Sequence, residues 1–157
     1  MIPKTLAATT YCSLLLLAGC ERSALDQRME ELCKVDGGVK VFEQVPLPAS
    51  DFDQEGTPLS RYWLDASPVR SDTRLGPDYR YVFKREVLKA GEPLSGSGEL
   101  VKRIEQVYRK ADNRLLGTAV TYGRRGGDLI VLGHPSSRTC PQQIPDLLKS
   151  IFIQARP

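Results

Sequence analysis

The stretch ELVKRIEQVYRKADNRLLGTAVTY, residues 99–122, decides how this chain folds. In Glu99–Lys110 the apolar side chains of Leu100, Ile104 and Tyr108 share one face, with charged residues between them. Ala111-Asp112-Asn113-Arg114 then supplies turn residues that tolerate left-handed backbone, and Leu115–Tyr122 resumes the pattern. Two patterned arms around such a turn predict a β-hairpin.

Reading outward extends the sheet. Upstream, Asp78–Lys89 (DYRYVFKREVLK) sets Tyr79, Tyr81, Phe83 and Val87 on one side and Arg80, Lys84 and Glu86 mostly on the other, the period of a strand. Leu94–Gly98 (LSGSG) is a flexible connector between that strand and the hairpin. Downstream, GRRGGD at 123–128 reads as a bend between strands. Leu129–Leu132, apolar on both faces, reads as a central strand. Further toward the amino end, Val39, Val41, Glu43 and Val45 alternate with Lys40, Phe42 and Gln44, predicting a strand that Pro46 and Pro48 stop. The Pro-rich segment 46–77 is expected to be irregular, with only 61–66 (RYWLDA) suited to a short strand and Trp63 plugging a core.

Helices are expected at both ends. Glu21–Lys34 places Leu25, Met29, Leu32 and Cys33 at helical spacing, with Gly37-Gly38 as the stop. Leu147, Leu148, Ile151 and Phe152 crowd one side of a short helix over Asp146–Phe152. The fold class expected is α+β: an antiparallel β-meander of four to five strands covered by N- and C-terminal helices. Short connections argue against parallel crossovers between most neighbours.

The first nineteen residues have a different character. Lys4 is the sole charge before an apolar stretch, Leu6–Ala18, too short to cross a bilayer, which takes roughly 20 apolar residues. A basic start, a brief apolar centre and small residues at its end describe a secretory signal. Leu17-Ala18-Gly19-Cys20 resembles the lipobox of bacterial lipoproteins. The resemblance implies that the Cys20 sulfur takes a diacylglyceryl group, that cleavage falls between Gly19 and Cys20, and that the new amine takes a further acyl chain. Glu21, not aspartate, follows the cysteine, which in the commonly studied sorting system implies the periplasmic face of the outer membrane. At scattered points, Cys33–Gly38 (CKVDGG), Gly126–Asp128, His134–Ser137 and Cys140-Pro141, the remaining chain also resembles small uncharacterised lipoproteins of Gram-negative bacteria, a likeness that implies no particular activity.

Excising residues 1–19 as signal peptide leaves 20–157 as one mature domain. It removes one of 22 basic residues and none of 19 acidic ones, so 21 face 19 and the side-chain charge is +2. So small an excess argues against nucleic acid as a partner. Of four cysteines, Cys12 goes with the signal and Cys20 carries lipid, leaving Cys33 and Cys140 to pair in an oxidising compartment.

Catalytic signatures are missing. His134, the single histidine, stands near Ser136 and Ser137, but no G-x-S-x-G elbow exposes a serine, and a strand end with a turn is the simpler reading. One histidine and two bridged cysteines do not make a zinc site. The glycines of GRRGGD lie between strands and present no helix N-terminus to a phosphate, while Arg124 and Arg125 remain open to an acidic partner or lipid headgroup. No catalytic, cofactor or metal residue is therefore assigned. The expected function is a lipid-anchored, noncatalytic envelope protein with a binding or scaffolding role, its partners the membrane and another envelope protein. The alternative is an anchored periplasmic hydrolase of cell-wall or carbohydrate material, with no carboxylate pair singled out.

Overall fold

The computed structural model describes residues 21–58, 77–128 and 134–156. The lipobox, the strands expected at 61–66 and 129–132, and Trp63 lie outside the described residues. Residues 21–36 form helix α1. Strands β1 (Gly38–Val41), β2 (Val45–Leu47), β3 (Tyr79–Lys89), β4 (Glu99–Arg109), β5 (Arg114–Arg125) and β6 (Ser137–Cys140) follow, then helix α2 (Leu147–Ile151) and strand β7 (Phe152–Gln154). The fold is mixed α+β, and five strands form an antiparallel sheet in the order β1-β5-β4-β3, with β6 also on β5.

The expected hairpin is β4–β5. Asn113 takes the left-handed conformation at φ 56°, and the Asp112 carboxylate accepts from the Arg114 N–H at 3.1 Å, closing the turn as short polar side chains do. Among the described strands, β3-β4-β5-β6 follow in meander order. β1 joins β5 and not β3, pairing Gly38 with Val120 through to Val41 with Gly117.

The strand expected over Val39–Val45 is two strands. Phe42 and Glu43 both donate to the Leu116 carbonyl, which ends β1. The chain then leaves the sheet, and β2 pairs in parallel with β7, Val45 opposite Phe152 and Leu47 opposite Gln154. Pro46 does not stop this strand: it is the central residue of β2, tolerated because a two-stranded ribbon has an outer edge that needs no donor. The segment expected to be irregular from Pro46 thus opens with a strand, followed by a 3₁₀ turn at Ala49–Asp51. In the expected connector, Pro93–Ser95 is likewise a 3₁₀ turn.

The chain forms two compact units, to both of which β3, β4 and β5 contribute. In one, drawn from the described residues within Met1–Asp36, Glu86–Lys102 and Tyr122–Gln142, Leu25, Met29 and Cys33 are buried on successive turns of α1, with Leu100, Val101 and Tyr122 buried on the strands. Cys33 and Cys140 are joined in a disulfide, their Cα atoms 6.0 Å apart.

The other unit, drawn from the described residues within Gly37–Arg85, Arg103–Thr121 and Gln143–Pro157, has its own core of Leu47, Phe52, Tyr81, Val107, Leu116, Ala119, Leu147, Leu148, Ile151 and Phe152. Helix α2 is capped by Asp146, whose Oδ1 accepts from the N–H groups of Leu148 and Lys149. The helix expected to reach Phe152 ends one residue earlier, because Phe152 enters β7 and meets Tyr79 edge to face at 4.9 Å. Glu43 spans the neck of the hairpin, paired with Arg109 and with Arg114.

Ile151 is fully buried, and a Cβ on Gly117 would lie 2.8 Å from its Cδ1, so β5 has a glycine where the isoleucine seats. Ile151→Ala is expected to cost about 3 kcal/mol, the transfer loss plus a cavity the backbone around it cannot fill. Urea unfolding measures it; a change under about 1 kcal/mol would mean that the site collapses freely.

Candidate functional site

The densest polar arrangement lies along α1 in the first unit. Arg22, Asp26 and Glu30 recur every four residues and so form one line on the helix. Strand β5 brings Arg124 to this line and β6 brings Arg138. Arg124 is 2 % exposed. Its Nε donates to Asp26 Oδ1 at 2.8 Å, and its Nη1 donates to the Gly126 carbonyl at 2.8 Å and to Ser136 Oγ at 2.6 Å. Arg138 reaches Glu30 at 2.7 Å and Asp26 Oδ2 at 3.8 Å. Arg22 stands 4.0 Å from the same oxygen.

Burial without charge cost requires such pairing: a guanidinium out of water is tolerated only when its donors are met. Arg124 is therefore a structural hub, holding the Gly126-Gly127 turn and Ser136 against α1. This corrects the reading of Arg124 as open to a partner; Arg125, beside it, is exposed. The turn itself is as expected, with Gly126 and Gly127 at φ 76° and 83°.

Arg22, Ser23, Asp26, Gln27, Glu30 and Arg138 line a groove of 520 Å³. A second hollow continues it past Glu30 and Arg138 to the disulfide and Gln142. Both carboxylates of the groove face guanidinium groups, so each already has a partner of opposite charge. What the groove offers is the half-exposed heads of Arg22 and Arg138 beside two acids: a mixed-charge recognition surface.

At the end of α1, Asp36 accepts from Lys102 Nζ and from the Tyr122 hydroxyl, each at 2.6 Å. The hydrogen bond to Asp36 pushes the Lys102 pKa up, and burial, followed by that carboxylate, pushes the Tyr122 pKa up. Both groups keep their protons to higher pH in the folded chain than in the unfolded one. Their contribution is complete below pH about 10 and is lost as pH rises beyond it. Asp36→Asn is expected to lower stability at neutral pH and to flatten this alkaline decline. Urea midpoints measured from pH 8 upward check it; an equally steep decline in the variant would discount the network.

In the second unit a hollow of 320 Å³ is lined by Tyr81, Glu105, Ala119, Ile144, Pro145, Asp146, Leu147 and Leu148. It holds two acids, but Asp146 is the α2 cap. Near the single histidine, Ser136 is bonded to Arg124 through Oγ and carbonyl, not to His134, which is exposed. Ser137, expected in a turn, begins β6 opposite Arg125. Of the residues singled out in sequence, Cys33 and Cys140 are brought together, while Gly19 and Cys20 lie outside the described residues. Arg124 was singled out but given an external partner; Asp26, Glu30 and Arg138 were missed, and the hint was the four-residue spacing of acids on α1.

No family model, curated protein or solved structure matches this chain.

Proposed function

We propose that this protein is a lipid-anchored, noncatalytic component of the bacterial cell envelope, held at the periplasmic face of the outer membrane, where it binds or scaffolds another envelope protein. The observation that carries the reading is Leu17-Ala18-Gly19-Cys20 at the end of a short apolar leader. The Cys33–Cys140 bridge supports it, since such bonds persist in oxidising compartments. The groove along α1 supports a binding role, because its charges are mutually neutralised and its exposed arginines suit a polypeptide surface with carboxylates of its own.

The hydrolase reading draws on one observation, that Glu105 and Asp146 line the same hollow. The noncatalytic reading is preferred because Asp146 is committed to two backbone N–H groups. Crosslinking the acylated protein in intact envelopes, followed by affinity isolation, tests the choice. One stoichiometric partner, lost on Arg138→Glu and retained on Glu105→Gln, is expected. Cleavage of peptidoglycan or glycan by the purified protein, abolished by Glu105→Gln, would replace the proposal with the hydrolase.

A further inference from the structure

We infer that the domain stands on the bilayer through one fixed face, made of the first turn of α1 and the loop 91–98, with Leu94 inserted among the lipids and the far end of α1 turned away. This rests on acylation of Cys20. A protein tethered by lipid ordinarily has freedom in proportion to its linker; here there is almost none. Cys20 is bonded to Glu21, placing their Cα atoms about 3.8 Å apart, and Glu21 is already helical.

The first turn is locked into the fold. Glu21 Oε1 accepts from Lys89 Nζ at 2.6 Å and from the Gly98 N–H at 3.3 Å, while Lys89 also donates to the Gly98 carbonyl at 2.8 Å. One residue on, a Cβ on Gly127 would lie 3.3 Å from Arg22 Cα, so the Gly126-Gly127 turn presses against the helix. That turn in turn abuts the loop: a Cβ on Gly126 would meet Pro93 Cα at 2.8 Å. Helix start, turn and loop pack directly against one another.

The loop is closed on itself. The Glu92 carbonyl accepts from the N–H groups of Ser95 and Ser97 and from Ser95 Oγ, and the Glu92 N–H donates to Ser97 Oγ at 2.6 Å. At its base Gly91 and Gly98 approach so closely that a Cβ on Gly91 would lie 2.3 Å from the Gly98 oxygen. A loop so constrained does not fold its tip inward, and Leu94 is 72 % exposed. Four residues separate Leu94 from Gly98, itself bonded to Glu21, so no more than about 14 Å of backbone parts the leucine from that contact. An apolar side chain this near the root of the acyl chains meets the lipid interface before any other partner. The exposed Arg22 and Arg125 exceed the exposed Glu92 by one charge, so apolar burial is the main contribution of this face and a small attraction to anionic lipid adds to it.

The test uses the full acylated protein in vesicles of phosphatidylethanolamine and phosphatidylglycerol whose acyl chains are brominated near the headgroup. Leu94→Trp and Val35→Trp are compared with the unsubstituted protein, whose single tryptophan supplies the baseline. Val35 is 80 % exposed and stands about 21 Å along α1 from Glu21, so both substitutions leave the packing alone. The added emission at 94 is expected to shift to the blue and to be lost to bromine quenching, and that at 35 to be retained. Flotation with the vesicles and the mass of the amino-terminal peptide are read on the same samples. A protein that floats with neither site quenched, or with both quenched alike, overturns the fixed face and leaves the anchor standing. A protein that carries no acyl mass and does not float overturns the anchor and this inference together.

Discussion

Replacing Cys20 with serine is expected to leave an unprocessed precursor that takes up no radioactive palmitate. Acyl transfer needs a sulfur nucleophile, and a serine hydroxyl, a far weaker acid than a thiol, does not replace it. Cleavage after Gly19 follows lipidation, so the leader stays on. The energetics make the effect large. A single myristoyl chain binds a bilayer with K on the order of 10⁴ M⁻¹, and each buried CH₂ adds about 0.8 kcal/mol, so two or three chains on one residue amount to a permanent anchor. On the proposed reading, one sulfur atom carries the whole attachment. Among the described residues no helix is long and apolar enough to cross a membrane in its place. Normal cleavage and labelling of the variant would refute the assignment.

The second large effect concerns the cross-link. Replacing Cys33 and Cys140 together by alanine is expected to cost roughly 4 kcal/mol, because the bridge closes a loop with a sequence separation of 107 and the chain-entropy model gives about 4.7 kcal/mol for a loop of about 100 residues, an upper figure in practice. Against a net stability of about 5–15 kcal/mol this is a major share. Both cysteines are changed so that no free thiol remains to scramble. The loss should be uneven: α1 is joined to β6 by this bond as well as by Arg138, so its amides should gain most in hydrogen exchange, while the core around Ile151, in the other unit, should change least. Non-reducing digests of the native protein should show the two cysteine peptides joined; finding both freely alkylated would remove this part of the account, and a loss under about 1 kcal/mol would mean that the unfolded chain is compact without it.

Much of the sheet was legible because it is local. Strands β4 and β5 are long, eleven and twelve residues, and flank a turn whose Asn113 takes a backbone most residues avoid. In α1, Leu25, Met29 and Cys33 repeat at four-residue steps, and Cys33 is bonded to Cys140 as expected. Short strands were not legible in the same way. In β6, Ser-Arg-Thr-Cys has no apolar alternation to read; its place on β5 comes from main-chain hydrogen bonds, to which every residue contributes alike.

The candidate site was the least legible. Arg124 and Arg125 are adjacent and chemically identical, yet one is buried against Asp26 and the other meets water; β alternation sends neighbours to opposite faces, and only the presence of α1 over one of them makes it a hub. The parallel pairing of β2 with β7 likewise joins three-residue strands from distant parts of the chain. From sequence alone came the long strands and the first helix, each encoded within a few residues of itself, and the pairing of Cys33 with Cys140 from the cysteine count. Which arginine is buried, which acids it neutralises and where short strands pair were decided by tertiary structure, because those energies exist only once distant segments exclude water between them.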